Sequence, residues 1–348
     1  MGLIVATDLS AIRRNVEKIK AETGKSVMLM VKCDAYGRGM EAVSEYAESF
    51  VEAFGVATAT EGAKLRACGI KKPILVTMFE DADSATAVKF GLDVGIYSPR
   101  QVRAIDGAAK KAHKSVNVHI AVNTGMNRLG VSDEKELEEL FSALSQTPRL
   151  TVKGVYTHFY GTDEAGISLQ NARFKPFKEA VKSRFGEVTV HTQNSGAIFS
   201  DATGSLVRVG LAAYGDAEDF VPSMSVYGRI IAVNHVIAGD AVGYGRDFVV
   251  ASDSDVAVVS GGYGDGVGFK QKYVLVNGKK AKVVCNPCMD VFMIDVTKAS
   301  AEIGDLVTIV GRSGKEEITL SDVAKWSGTS PYAAATAFGG RIDRIYFT

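Results

Sequence analysis

The stretch Val31-Lys32-Cys33-Asp34-Ala35-Tyr36-Gly37-Arg38-Gly39 carries the chain's clearest chemical signal. It follows an apolar run, Val27-Met28-Leu29-Met30-Val31, of the kind that forms a fully buried strand. A lysine at the end of such a strand is poised to face a cleft, and a desolvated ε-amine can attack an aldehyde to form a Schiff base. Tyr36, in the following loop, is placed to orient whatever Lys32 holds. Further polar groups recur after later apolar runs. They are Asn123-Thr124-Gly125-Met126-Asn127-Arg128, then His158, then Asn194-Ser195-Gly196, then Arg208 and Gly210. Each alone has an ordinary explanation: a satisfied core histidine, a capping serine, a surface arginine. Cys285-x-x-Cys288 has redox or zinc spacing, but one pair without a second pair or a nearby histidine is a weak signal.

The elements that position these groups alternate in the first part of the chain. Apolar runs near 27–32, 54–58, 73–78, 93–97, 116–122, 152–158, 188–192 and 206–210 read as strands. Helical patterns lie between them, such as Leu137, Leu140, Phe141 and Leu144 behind the capping box Asp133-x-x-Glu136. An opening helix follows a cap at Asp8, with Ile12, Val16 and Ile19 on one face. This alternation predicts an α/β fold, a (β/α)₈ TIM barrel, with a doubly wound sheet as the alternative. After Pro222 the pattern changes to consecutive short strands, with a hairpin signal at Asn277-Gly278 and one late helix over Ser321–Trp326. The expected organisation is a barrel over 1–222 followed by a C-terminal, mostly β domain over 223–348.

In a barrel, active sites are built at the carboxyl ends of the strands. The dispersed polar groups then converge on one rim, with a division of labour. Lys32 can form the imine, Arg208 can face a ring nitrogen, and Ser195, Gly210 and the loop amides can cradle a phosphate. That combination suggests pyridoxal 5′-phosphate, an electron sink for carbanions next to an amino group.

Composition narrows the rest. The 348 residues are 46% hydrophobic and 23% charged, with zero formal net charge, which gives no nucleic-acid or acidic-membrane footprint at the level of the whole chain. There is no apolar run of transmembrane length and no signal-peptide pattern at the N-terminus. The four cysteines do not suggest a disulfide framework in a chain this long, so a cytoplasmic location is expected.

The ordered motifs resemble those of the bacterial alanine racemases. They include Val31–Gly39, Asn123–Gly130, Val155-Tyr156-Thr157-His158-Phe159, His191–Ser195, Val207–Gly215, Val242–Gly245, Gly262-Tyr263-Gly264-Asp265-Gly266 and Cys288-Met289-Asp290. The resemblance implies a homodimer that racemises L- and D-alanine with pyridoxal phosphate, supplying D-alanine for peptidoglycan. It implies that Lys32 holds the cofactor and acts as base on one substrate face, and that Tyr244, supplied by the partner subunit, acts on the other. Arg208 falls on the pyridine nitrogen, with His158 linked to it. Tyr36, Asn194, Ser195, Gly210 and Leu211 fall at the phosphate site. Arg128 and Met289 fall at the substrate carboxylate, and Tyr263 and Asp163 at the entrance.

Departures from the family pattern concentrate around the substrate. Ala121 stands where a carbamylated lysine is usual, Asn123 replaces an aspartate, and Asn286 an arginine. Arg38 replaces a histidine, and Gly340 a tyrosine. Without the carbamate, Arg128 is expected in a partly buried site, supported by a small anion such as chloride or by another carboxylate, with the Asn123 carbonyl assisting. The alternatives are a serine or broad-specificity racemase, a basic amino-acid decarboxylase on a related fold, and a non-enzymatic pyridoxal-phosphate-binding protein.

Overall fold

The computed structural model describes residues 2–348. The chain forms two compact units, neither continuous in sequence. One comprises Ile12–Ala35 and Met40–Phe220; the other comprises the N-terminal residues through Ala11, Tyr36–Gly39 and Val221–Thr348.

The first unit is built on eight parallel strands: Ser26–Met30, Ala53–Val56, Ile74–Val76, Asp93–Ile96, Val116–Val122, Leu150–Thr157, Thr189–His191 and Leu206–Val209. Each pairs with the next except at one seam, and the last pairs with the first, Leu206 opposite Ser26 and Val209 opposite Leu29. At the seam between Thr189–His191 and Leu206–Val209 there is no ladder. The Ser205 N–H donates to Val190 O at 3.1 Å and the Arg208 N–H to Gln193 O at 3.0 Å. The result is a nearly closed barrel, as the alternation predicts. Its strands are apolar because both faces of a parallel sheet are covered.

The outer helices begin where their caps place them. Ser98 accepts from the Gln101 amide, and Pro99 occupies the first position of Pro99–Ala112. Asp133 accepts from the Glu136 amide at 2.8 Å and starts Glu134–Ser145, which buries Leu137, Leu140, Phe141 and Leu144. The expected capping box is only half made, because the Glu136 carboxylate takes the Ser132 amide instead.

The second unit centres on a closed ring of six antiparallel strands. In ring order they are Met224–Val236, Ser254–Ser260, Val291–Asp295, Lys279–Val283, Tyr273–Val276 and Leu306–Ser313, which returns to the first. Val226, Val259, Phe292, Ile294, Val307 and Ile309 fill it and are fully buried. Asn277 (φ 48°) and Gly278 (φ 76°) form the expected hairpin turn, both in the left-handed region that a two-residue loop favours.

The contacts change unit at Phe220/Val221, and they group the N-terminal residues through Ala11 and Tyr36–Gly39 with Val221–Thr348. The strand Ile4–Asp8, preceding the opening helix, pairs antiparallel with Met224–Val236 and parallel with Asp343–Phe347, so it belongs to the β unit. Among the described residues, no helix is long and apolar enough to cross a membrane.

Candidate active site

Lys32 sits two residues beyond the strand Ser26–Met30, at the start of an unusual turn. Cys33, Asp34, Ala35 and Tyr36 have φ of 51°, 56°, 52° and 55°, and Gly37 follows at 82°. Lys32–Gly37 therefore contains a left-handed helical turn made largely of L-residues, a conformation that costs about 1–2 kcal/mol per residue. Two carboxylates oppose that strain. Glu61 accepts from the Cys33 amide at 2.7 Å and Asp34 from the Met40 amide at 2.7 Å. Glu61 also takes the Ala57 amide at 2.8 Å, tying the Lys32 turn to the end of the neighbouring strand. Lys32 is half-buried, and its amine makes no hydrogen bond or ion pair with any described residue.

Arg208, in Leu206–Val209, is 5% exposed, and its hydrogen-bond partners are all neutral. Its Nη1 donates to the His191 carbonyl and lies 3.0 Å from His191 Nδ1. Its Nη2 donates to Thr157 O at 2.7 Å and lies 3.4 Å from His158 Nδ1. Nε makes no hydrogen bond with a described residue. Burial pulls the guanidinium down to about 10, so it remains charged at neutral pH. Burial first, and then the charges of Arg208, Arg128 and Lys32, push His158 down to about 3. Its imidazole is therefore neutral, and it lies within electrostatic reach of Lys32.

Tyr156 stacks on His191 with centroids 4.9 Å apart, and the Arg208 guanidinium lies 5.3 Å from the Tyr156 ring centroid. Burial raises the Tyr156 phenol to about 12. Two strand glycines make room for this polar layer. A Cβ on Gly95 would lie 2.4 Å from the Tyr156 hydroxyl, and one on Gly154 would lie 2.1 Å from His119 Nδ1.

The expected phosphate-site residues of this unit cluster beside Arg208. Ser195 Oγ accepts from the Gly210 and Ala212 amides, both at 3.2 Å. Ser195 and Leu211 each open a short helix, so their own amides have no acceptor within it. Asn194 has a structural task. Its carbonyl accepts from Gly196 (3.1 Å) and Ala197 (3.2 Å), and its NH₂ donates to Phe159 O at 3.1 Å. Asp163 likewise caps Glu164–Phe185, accepting from the Gly166 amide at 2.8 Å.

The expectations around Arg128 need correction. Arg128 is exposed in this chain, not partly buried, and has no hydrogen-bond or ion-pair partner among the described residues. The Asn123 carbonyl cannot assist it, because it already accepts from the Gly125 (3.0 Å) and Asn127 (2.9 Å) amides. Ala121 is buried in its strand, opposite Tyr156 in register.

Tyr36, Tyr244, Tyr263 and Met289 belong to the β unit. Tyr36 is buried, 5.8 Å from the Tyr332 ring. Tyr244 is 78% exposed, on a turn between Gly243 (φ 82°) and Gly245 (φ 66°). Tyr263 stacks on Phe269 at 5.3 Å, and Met289 is exposed. Arg341, which the sequence reading did not single out as functional, ties the two loops that carry them. Its Nε donates to Asp265 at 2.7 Å and its Nη2 to Asp290. Burial and the neighbouring Cys288 raise the Cys285 thiol to about 11, and no group of three or more metal-ligating side chains occurs among the described residues. His119, Tyr156 and His191 also went unassigned, although a polar side chain inside a buried apolar strand is the informative exception.

Comparison with known proteins gives the family. The model for the alanine racemase N-terminal domain matches residues 7–218, and that for the C-terminal domain matches 223–346. An alanine racemase of Thermodesulfovibrio yellowstonii is 34% identical, over 97% of this chain and 96% of its own length. The crystal structure of alanine racemase from Bacillus anthracis with bound L-Ala-P superposes with a TM-score of 0.94 at 30% identity, covering 100% of this chain and 95% of that one. A histidine racemase from Leuconostoc mesenteroides shares the fold, with a TM-score of 0.92 at 23% identity over 100% of this chain and 98% of that one. With both family domains matched in order and relatives aligned nearly end to end, the chain belongs to the alanine racemase family of isomerases.

Proposed function

We propose that the protein interconverts L- and D-alanine with pyridoxal 5′-phosphate as cofactor, using Lys32 and Tyr244 as its two proton-transfer groups. The observation that carries this reading is one neighbourhood of the barrel unit. It combines a half-buried, unpartnered amine at Lys32, a buried cation at Arg208 with an unused Nε, and unpaired amides at Ser195 and Leu211. An aldehyde, a ring nitrogen and a phosphate match those donors in kind. Lys32 would hold the aldehyde carbon, and Arg208 Nε would donate to the ring nitrogen. Ser195, Gly210, Leu211 and Tyr36 would bind the phosphate, with Asn194 shaping that loop. When bound, the cofactor supplies the electron sink that makes the substrate Cα–H acidic.

The chain's own residues then divide the work. Racemisation removes a proton on one face and delivers one on the other, so two groups must flank the reacting carbon. The Lys32 amine serves one face and the Tyr244 phenol the other. Guanidinium does not release its proton at neutral pH, so Arg208 would donate a hydrogen bond to the ring nitrogen without protonating it. Such an arrangement would moderate the electron sink and disfavour side reactions. Neutral His158 accepts from Arg208 and helps fix its plane. Arg128 and Met289 would hold the substrate carboxylate, and Tyr263 and Asp163 would line its approach.

The exposure of Tyr244 supports a homodimer in which the partner subunit's Tyr244 completes each site. A small anion such as chloride beside Arg128 would be called for only where a partner subunit covers the guanidinium, because an exposed charge is solvated by water. In the cell this activity would act in the cytoplasm and provide D-alanine for peptidoglycan. A serine or broad-specificity racemase is the second reading, favoured by the small Ala121 at the position where the family resemblance implies a modified lysine.

The test is D/L interconversion across a panel containing alanine, serine and histidine, together with borohydride trapping of the cofactor. Alanine should turn over fastest, the trapped adduct should map to Lys32, and Lys32→Ala should lose both adduct and activity. Faster serine turnover would establish the second reading. An adduct at Lys32 with no racemisation of any amino acid would mean a non-enzymatic binding protein.

A further inference from the structure

Behind Arg208 the barrel interior holds a polar chain that the proposed reaction does not use directly. His191 Nδ1 lies 3.0 Å from Arg208 Nη1, and His191 Nε2 lies 2.9 Å from His119 Nδ1. His119 Nε2 lies 3.7 Å from the Asp93 carboxylate, an electrostatic contact rather than a hydrogen bond. Asp93 is held from its other oxygen by Asn117 Nδ2 at 3.0 Å. His119 and His191 are both buried. The chain starts at Asp93, the first residue of its strand, and ends at Arg208 and the proposed cofactor site.

The proton positions along this chain follow from one fact: guanidinium only donates. His191 Nδ1, facing Arg208, must therefore be an acceptor without a proton. A neutral imidazole carries its proton on the other nitrogen, so His191 Nε2–H donates to His119 Nδ1. His119 in turn carries its proton on Nε2, pointing at the Asp93 carboxylate. A protonated His119 would set two N–H groups against each other at 2.9 Å. The arrangement has a single consistent direction, and each member fixes the tautomer of the next.

We infer that His119, backed by Asp93, is a positioning residue that locks His191 in its Nε2–H form and thereby holds the Arg208 guanidinium in place. The space for it is built in, since any side chain at Gly154 would collide with the His119 ring. Tyr156, stacked on His191, restricts the remaining freedom of that ring. If His119 could not accept, His191 would be free to carry its proton on Nδ1. That proton would face an Arg208 N–H, and the guanidinium would have to move. The consequence for catalysis rests on the reading that Arg208 faces the ring nitrogen; the tautomer itself does not.

The test separates the two. In full-length protein labelled with ¹⁵N-histidine at pH 7, the His191 imidazole should show a protonated Nε2 and a bare Nδ1. His119→Leu keeps the volume and removes the acceptor, and should populate the Nδ1–H form. His119→Gln offers a carbonyl to His191 and an amide to Asp93, and should restore the Nε2–H form. Outer partners that fix the tautomer of a metal-ligating histidine are worth about 10- to 100-fold in activity, and the same order is expected for this relay. The turnover number for alanine should fall by that order in His119→Leu and recover most of it in His119→Gln. An unchanged His191 tautomer in a folded His119→Leu protein, or an Nδ1–H form in the parent, overturns the relay. A shifted tautomer with unchanged turnover upholds the relay but removes Arg208 from the reaction.

Discussion

The two units present their polar groups in opposite ways. In the barrel unit, Arg208, His158 and His191 are enclosed by backbone carbonyls, imidazoles and each other, and Ser195 is engaged by two amides. In the β unit, Tyr244 projects from a glycine-flanked turn with most of its surface open, and Tyr263 and Met289 stand on loops pinned from behind by Arg341. The first arrangement fixes side chains before anything binds. The second fixes the backbone and leaves side-chain position to whatever covers it. Pre-organised donors suit a resident cofactor, whereas an uncovered phenol suits a group completed by association.

The largest expected effect breaks that contrast at the two proposed proton-transfer groups. Lys32→Ala and Tyr244→Phe should each abolish nearly all racemisation. Mixed dimers of the two variants should regain about half of the parent activity per dimer, because one site in two carries both intact groups. Verified heterodimers with no regained activity would place Lys32 and Tyr244 in the same subunit's site. Next comes the barrel interior. Gly154→Ala drives a methyl to 2.1 Å from His119 Nδ1, and overpacking of this kind costs about 1–3 kcal/mol. Thermal denaturation should show a clear loss. Gly107→Ala, on the outer helix Pro99–Ala112 with nothing near its Cβ, should instead gain about 0.5–1 kcal/mol. Equal melting temperatures for the two variants would contradict a tightly packed polar layer.

The smallest effect concerns pH. His158, depressed from 6.5 to about 3, and His191, also depressed, bind protons more readily unfolded than folded in that window. Stability then rises with pH through the window and is lost as pH falls from about 6.5 toward 3. Replacing His158 with Asn should make the acid limb of the melting-temperature profile shallower. The exposed His235 of the β unit is raised by its hydrogen bond to Asp255 at 2.9 Å and has the opposite sign. Its contribution is present at low pH and fades as pH climbs past its raised value. An unchanged acid slope in the His158 variant would mean that other groups govern acid unfolding.

The barrel was legible because its strands are near-continuous apolar runs, such as Val116–Val122, separated by helices with clear caps. Polar residues at the strand ends then marked the rim. Strands Ile4–Asp8 and Asp343–Phe347 were not legible. Their pairing is a contact between distant parts of the sequence, and Asp343–Phe347 is not a buried apolar run. The left-handed turn after Lys32 had no local signature either, since Cys33, Ala35 and Tyr36 are not residues that favour positive φ. It is held by the distant Glu61 carboxylate, which accepts from the Cys33 amide, and locally by Asp34, which accepts from the Met40 amide. The resemblance assigns roles to Arg208 and His158 but is silent on His119, which meets a ring two strands along the barrel and 72 residues away in the sequence.

The pairing of Ile4–Asp8 with both Met224–Val236 and Asp343–Phe347 has a consequence for the order of assembly during synthesis. The barrel can close its ladder once Leu206–Val209 has been made, because its partner Ser26–Met30 is already present. The first strand of the chain has no such early partner. It must wait, unpaired, through translation of the whole barrel, and its second neighbour arrives only with residues 343–347. Domains generally form as units while the chain grows, so this strand is an exposed, sequence-distant edge for the longest interval of any in the molecule. The β unit, and with it the Tyr244 loop, is completed last, after the barrel that carries Lys32 has taken shape.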